Sequence, residues 1–301
     1  MRTSPPILWQ PTSERVEQAT ITHFRRFVEE RTGLELPGYH ELRSWSIADL
    51  DAFWAAIWDF CEIRSSARAE RVLASRAMPG AEWFPGAMLS FPENVFRERD
   101  GNGVALHHAS ELRPLGQTTW GELRRETARL AGALRALGVG PGDRVIAYLP
   151  NVPEAVSAFL ACASLGAIWS SCSPDFGARS VVDRFAQIEP LVLLAVDGYR
   201  YGGHDFDRMD VVSRLQAEIP SLKRTVVLPY LTPEPDLTGL RDATTWEAFA
   251  AGGGEEQLSF TQVPFAHPLW VLYSSGTTGL PKAIVHGHGG VLLELSKVLR
   301  L

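Results

Sequence analysis

Between residues 119 and 230, short apolar runs alternate with amphipathic segments, and this alternation limits the possible folds more than any other feature of the chain. "RVIAYLP" (144–150), "AIWSSCS" (167–173), "LVLLAVD" (191–197) and "RTVVLPY" (224–230) are long enough for strands and apolar enough to be covered on both faces. Between them lie helix-like segments: one from Pro153 to about Leu165, then "ARSVVDRFAQI" and "FDRMDVVSRLQAEI". Strands that alternate with helices form βαβ units, so the expected class is α/β, with a mainly parallel sheet and flanking helices. Local signals agree with this. Thr119 and Glu122 fit a capping box, Gly138 fits the position just past a helix end, and Pro153 suits a first helical turn.

Upstream, the chain is rich in tryptophan and helix signals. In "SWSIADLDAFWAAIWDF" the residues Leu50, Phe53, Trp54, Ile57 and Trp58 recur at helical spacing, with Ser46 read as N-cap and Asp49 three residues on. A Pro/Gly-rich connection, "MPGAEWFPGAMLSFPENVF", follows. The expected division is a helical, Trp-rich extension over residues 1–97 and an α/β domain over 98–301. Residues 232–267 read as loop with one short helix around "TTWEAFA", leading into the strand "PLWVLYS" (268–274).

Composition excludes several function classes. A formal net charge of -6 argues against a nucleic-acid partner, since such binders usually show a basic face, and leaves room for a small anionic ligand. Cys61, Cys162 and Cys172 match no zinc spacing and read as buried reduced thiols of a cytoplasmic protein. The N-terminus lacks an apolar core of signal-peptide length. The uncharged stretch from Ala155 to Pro174 changes from helix to strand pattern at Gly166, so no membrane span is expected.

The chemistry concentrates in "YSSGTTGLPKAIVHGHGG" (273–290). Gly276 and Gly279 permit backbone angles closed to other residues, and Ser274, Ser275, Thr277 and Thr278 set hydroxyls beside free N–H groups. Concave arrays of this kind bind anions, and Lys282 adds a point charge suited to phosphate. The P-loop of common NTPases does not fit. Gly276 and Gly279 are too close, Pro281 separates glycine from lysine, Ala283 stands where Ser or Thr belongs, and a strand follows. A ligand-free Gly/Ser hairpin is the bland alternative, and it rarely combines so many phosphate-suited features.

This stretch resembles the signature loop of adenylate-forming acid–CoA ligases. Together with "WFPGAMLSFPENVF" and "LPNVPEAVSAFLACASLGAIWSSCSPDFG", it is similar to the acetoacetate-activating branch of the acyl-CoA synthetase superfamily along nearly the whole chain. Ala283 stands where many relatives have glycine. The resemblance implies that ATP, with Mg2+, converts acetoacetate to an acyl-adenylate, and that CoA then takes the acyl group as a thioester. It implies that Ser274, Ser275, Gly276, Thr277, Thr278, Gly279 and Lys282 cradle the β- and γ-phosphates. The small-molecule partners would be acetoacetate, ATP and CoA.

"DGYRYGGHDFD" resembles the place where acetyl-CoA synthetase relatives hold the CoA nucleotide, which implies Arg200 and His204 as contacts; a plain turn rich in Gly and Asp is the alternative. His286 and His288 would share one strand face, without further ligands for a metal. His107 and His108, near an expected strand start, receive no role, and Trp169 and Cys172 read as core. The family's later landmarks, including its acyl pocket and C-terminal catalytic lysine, have no counterpart here. The expectation is therefore an N-terminal piece of a longer synthetase, with no catalytic residue within it and inactive alone. Another short-chain synthetase, for acetate or propionate, and a non-catalytic nucleotide- or partner-binding remnant remain as alternatives.

Overall fold

The structure, a computed structural model, describes residues 6–254, 257–274 and 279–301. The chain forms two compact units. One comprises Met1–Ile63, Arg68–Gly86 and Val291–Leu301, and the other comprises Arg64–Ala67 and Ala87–Gly290.

The first unit is helical. Helices Thr20–Thr32, Tyr39–Ala48 and Leu50–Phe60 carry its aromatics. Phe24 is fully buried and meets the rings of Phe27, Phe53 and Phe60 at 5.2–6.5 Å between centroids. The helical spacing of the "LDAFWAAIWDF" segment buries Ile57 and Trp58, and Trp58 stacks on Phe84 at 4.9 Å. The cap differs from the expected one. Ser46 lies inside the Tyr39–Ala48 helix, where its hydroxyl donates to Arg43 O. The break between helices falls at Asp49, which leaves helical geometry (φ -123°, ψ 82°) and accepts the Ala52 N–H at 3.0 Å.

The second unit is built on a seven-stranded sheet. Its strands are β1 (Arg144–Tyr148), β2 (Ile168–Cys172), β3 (Val192–Val196), β4 (Arg224–Leu228), β5 (Ala243–Thr245), β6 (Pro268–Ser274) and β7 (Lys282–Gly287). Their spatial order is β5-β4-β3-β1-β2-β6-β7. All neighbours are parallel except the β6–β7 hairpin. The mainly parallel α/β class read from the alternation is the observed one.

Period-two alternation divides β1 between two cores. Val145 and Ala147 join a cluster with residues of α1 (Trp120–Ala136), α2 (Pro153–Ser164) and the short helix Trp246–Ala251. Ile146 and Tyr148 join another with α3 (Ala178–Phe185) and α4 (Met209–Glu218). Helices therefore cover both sheet faces. The capping box forms as expected: Thr119 Oγ1 accepts the Glu122 N–H, and Glu122 accepts the Thr119 N–H.

The 232–267 stretch was expected to hold one helix and no strand, but it also supplies β5. The buried amide of Gln216 fixes this edge, since it donates to Arg241 O and accepts the Arg241 N–H just before the strand. A three-residue strand held by a side chain 25 positions away leaves no periodicity to read.

Chemical denaturation of the whole chain tests the helix break. Asp49→Ala should cost about 1 kcal/mol by loss of an N-cap, while Ser46→Ala should change stability little. The reverse order would contradict the observed cap.

His288, the first residue of helix His288–Arg300, gives a second test. It is fully buried, its Nδ1 accepts the Phe91 N–H at 3.3 Å, and burial and His267 push its pKa down to about 3. The unfolded chain takes up this proton near pH 6.5 and the folded chain does not. Stability is therefore complete above pH 6.5 and is lost as pH falls toward 3, by about 2 kcal/mol at pH 5. The denaturation midpoint of His288→Gln should depend less on pH between 7 and 5 than that of the wild type. Parallel profiles would refute the assignment.

Candidate functional site

The strand order β2-β1-β3-β4-β5 places β2 on one side of β1 and β3 on the other, so the chain reverses direction across the sheet at β1/β3. In open α/β sheets, ligands bind outside the carboxyl ends of the strands at such a reversal. Tyr148, the last residue of β1, is fully buried, and its hydroxyl lies 2.7 Å from Pro174 O and 2.8 Å from Phe176 O. Burial pushes its pKa up to about 12, so the phenol keeps its proton and holds the 173–177 loop. Arg208 Nε donates to the same Pro174 carbonyl at 2.7 Å. Beyond β3, the buried Asp197 carboxylate accepts the N–H groups of Tyr230, Leu231 and Thr232 and the Thr232 hydroxyl at 2.7–2.9 Å. Two loops at the carboxyl edge are thus fixed by side chains at strand ends.

The serine-, threonine- and glycine-rich loop leaves β6 at this edge. Ser274 pairs with Lys282 across the β6–β7 hairpin, which brings the first and last candidate phosphate ligands face to face. Lys282 is exposed and has no ion-pair partner among the described residues. Gly279 has a φ of +139°, in the region that favours glycine. Ser275, Gly276, Thr277 and Thr278 lie outside the described residues. Both flanks of the loop are tied to the chain after β2. Tyr273 donates its hydroxyl to Arg184 O at 2.8 Å, and Gln187 Nε2 donates to Pro281 O at 2.9 Å.

"DGYRYGGHDFD" is neither a plain turn nor a free basic patch. It is a two-stranded hairpin, Gly198–Tyr201 against His204–Asp207, with Gly202 and Gly203 at its tip. Arg200 faces Asp205 across the strands and donates to both of its carboxylate oxygens, at 2.5 and 3.0 Å. That pairing raises the Arg200 pKa and lowers that of Asp205. The Gly202 and Gly203 N–H groups each donate to one oxygen of Glu111, at 2.7 Å apiece. These bonds, Gly203 first, lower the Glu111 pKa, with Arg200 and His204 adding to the effect. Arg200 and His204 thus share one hairpin. β3, which leads into it, stands three strand spacings from β6, about 14 Å across the sheet.

A cavity of about 500 Å³ opens at the ends of β1, β2 and β6. Phe159, Trp169, Trp270 and Leu272 make it apolar, and Asn151 and Ser173 put polar groups at its wall. Trp169 and Cys172 are each 6 % exposed, in keeping with a core reading, although both also line this cavity. Trp270 was missed as a lining residue. The strand pattern that revealed it gave no sign of which strands flank β6.

The histidines need correction. β7 ends at Gly287, so His286 and His288 do not share a strand face. His286 Nδ1 accepts the Trp270 indole N–H at 3.0 Å, while His288 opens the next helix and is buried. His107 and His108 end the Val104–His108 strand instead of starting it. Among the described residues, no three His, Cys, Asp or Glu side chains gather as metal ligands, and no helix is long and apolar enough to cross a membrane.

Residues 39–95 match the family model described as "Acetyl-coenzyme A synthetase N-terminus", and residues 96–300 match that described as "AMP-binding enzyme". The chain is 43% identical over 297 residues to an acetoacetyl-CoA synthetase of Danio rerio, covering 96% of this chain and 44% of that protein. It is 43% identical to an acetoacetyl-coenzyme A synthetase of Rhizobium meliloti, covering 95% of this chain and 44% of the relative. The solved acetoacetyl-CoA synthetase of Streptomyces lividans superposes with a TM-score of 0.93 at 49% identity, over 98% of this chain and 45% of the other. The chain therefore spans less than half the length of the relatives that it matches. With two thirds of its length under one family model and the β6–β7 hairpin at one edge of a mainly parallel sheet, the chain belongs to the AMP-binding enzyme family.

Proposed function

We propose that this chain carries the N-terminal part of the machinery of an acetoacetate–CoA ligase. In the reaction, ATP and acetoacetate give an acyl-adenylate and pyrophosphate, and the CoA thiol then displaces AMP to give acetoacetyl-CoA. The observation that supports this most directly is the β6–β7 hairpin, whose register sets Ser274 opposite Lys282 where β6 ends at the carboxyl edge. Ser274, Ser275, Gly276, Thr277, Thr278, Gly279 and Lys282 hold the β- and γ-phosphates in this reading. Their donors and the lysine charge offset the negative charge that moves onto departing pyrophosphate. Magnesium arrives on the phosphates of ATP in this reading.

Arg200 and His204 hold the nucleotide end of CoA in this reading. The preference for acetoacetate rests on the similarity to acetoacetyl-CoA synthetases. An acetate- or propionate-activating enzyme is the second reading, favoured by the acetyl-coenzyme A synthetase match over residues 39–95. We assign residues 1–97 to the extension and 98–301 to the adenylation domain, and we place the protein in the cytoplasm.

The test is a chimera in which this chain replaces the matching 45% of the Streptomyces lividans enzyme. Acetoacetyl-CoA should form from ATP, acetoacetate and CoA. Lys282→Ala should slow pyrophosphate release by about 10²-fold, the scale for loss of a charge-stabilising group. Thioester formation from supplied acetoacetyl-adenylate should be unchanged, because no pyrophosphate leaves in that step. Equal losses in both steps would remove Lys282 from the phosphate site.

Residues 1–301 alone should show no turnover. Positioning of carboxylate, α-phosphate and thiol supplies about 7–11 kcal/mol of such a barrier, and the phosphate loop holds only one end of ATP. Turnover near that of an intact synthetase would overturn this placement of the active site.

A further inference from the structure

The tip of the 198–207 hairpin is already holding an anion. Gly202 and Gly203 have φ values of +60° and +76°, which turn two successive N–H groups to the same side. Each donates to a different oxygen of one carboxylate, Glu111, 91 and 92 residues away in sequence. Arg200 and His204 flank the tip and both favour the charged form of that carboxylate. Arg200 is bound to Asp205 through Nε and Nη2, so its Nη1 has no hydrogen-bond partner among the described residues.

Glu111 itself is exposed and lies outside the core, so leaving the tip costs it little desolvation. Its segment has other anchors. Ser110 receives the Tyr230 hydroxyl at 2.6 Å, and Arg113 pairs with Glu154 at 2.7 Å and lies over the Tyr230 ring. The loop would therefore stay in place if the carboxylate swung away.

We propose that the Gly202–Gly203 tip is a phosphate-ester site that the chain keeps filled with its own Glu111 carboxylate, which an incoming phosphate must displace. The edge of a phosphate tetrahedron spans nearly the same distance as the two oxygens of a carboxylate, so both N–H groups can be reused. A phosphate dianion brings a further oxygen and more charge to Arg200 Nη1, which Glu111 leaves unused. Glu111 thus sets the affinity threshold of the site and excludes weak anions. This deepens the assignment of Arg200 and His204 to the CoA nucleotide and rests on that reading for the identity of the ester.

The experiment is amide NMR on the 15N-labelled whole chain, as wild type, Glu111→Gln and Glu111→Ala. Each is titrated with inorganic phosphate, adenosine 3′,5′-bisphosphate and adenosine. The Gly202 and Gly203 amides should shift with both phosphates and not with adenosine. A tip occupied by Glu111 about nine-tenths of the time weakens apparent affinity about tenfold, so both variants should reach half-saturation at about tenfold lower ligand. Unmoved Gly202 and Gly203 amides in the variants, or equal midpoints in wild type and variants, would overturn the proposal. If the variants gain for inorganic phosphate while the bisphosphate binds no better than phosphate, the Glu111 inference stands and the CoA reading of the hairpin fails. If the bisphosphate moves these amides equally in all three proteins, the CoA reading stands and the displacement of Glu111 is refuted.

Discussion

The pairing of β1 with β2 on one side and β3 on the other is the constraint on which the carboxyl edge depends. Val145, Ile146, Ala147 and Tyr148 are fully buried, so every backbone polar group of that segment must find its partner in a neighbouring strand. Arg144 closes the opposite end, donating to Gly142 O, Ile188 O and Glu189 O. With β1 fixed at both ends, the positions at which β2 and β3 release the chain are fixed too. Tyr148 and Asp197 then hold the loops that leave them. Both side chains are buried, and each binds backbone groups of the loop that leaves the sheet at its end.

Much of the scaffold was legible because it repeats. The strands over 144–228 declare themselves by apolar runs, and α1 by its capping box and closing glycine, since both signals are local. β5 was not legible, because its three residues are held by Gln216 from another element. The Ser46 reading failed for a related reason. Helical spacing locates a helix but leaves its first residue open, and a competing hydrogen bond to Arg43 O claimed the serine.

Of the candidate site, Ser274, Gly279 and Lys282 fall on the hairpin that their residue types suggested, whereas Ser275, Gly276, Thr277 and Thr278 are outside the described residues. Arg200 was visible as a cation in the sequence and Asp205 as an ordinary acid, and only the hairpin register joins them. Glu111 gave no signal at all. Its significance comes from backbone N–H groups, which every residue carries and which no residue type advertises.

The position of β6 has a consequence for the order in which the chain acquires its structure. The hydroxyl of Ser170 on β2 donates to Val271 O on β6, a contact between residues 101 positions apart, whereas β1 and β2 are joined by a single helix. Closing the longer loop costs more chain entropy, and the surface that rewards it does not exist until β2 is in place. The β6–β7 hairpin can therefore join the sheet only once β2 is in place. During synthesis, β1 to β4 emerge before β6, so the scaffold can consolidate while the β6–β7 hairpin is still being made.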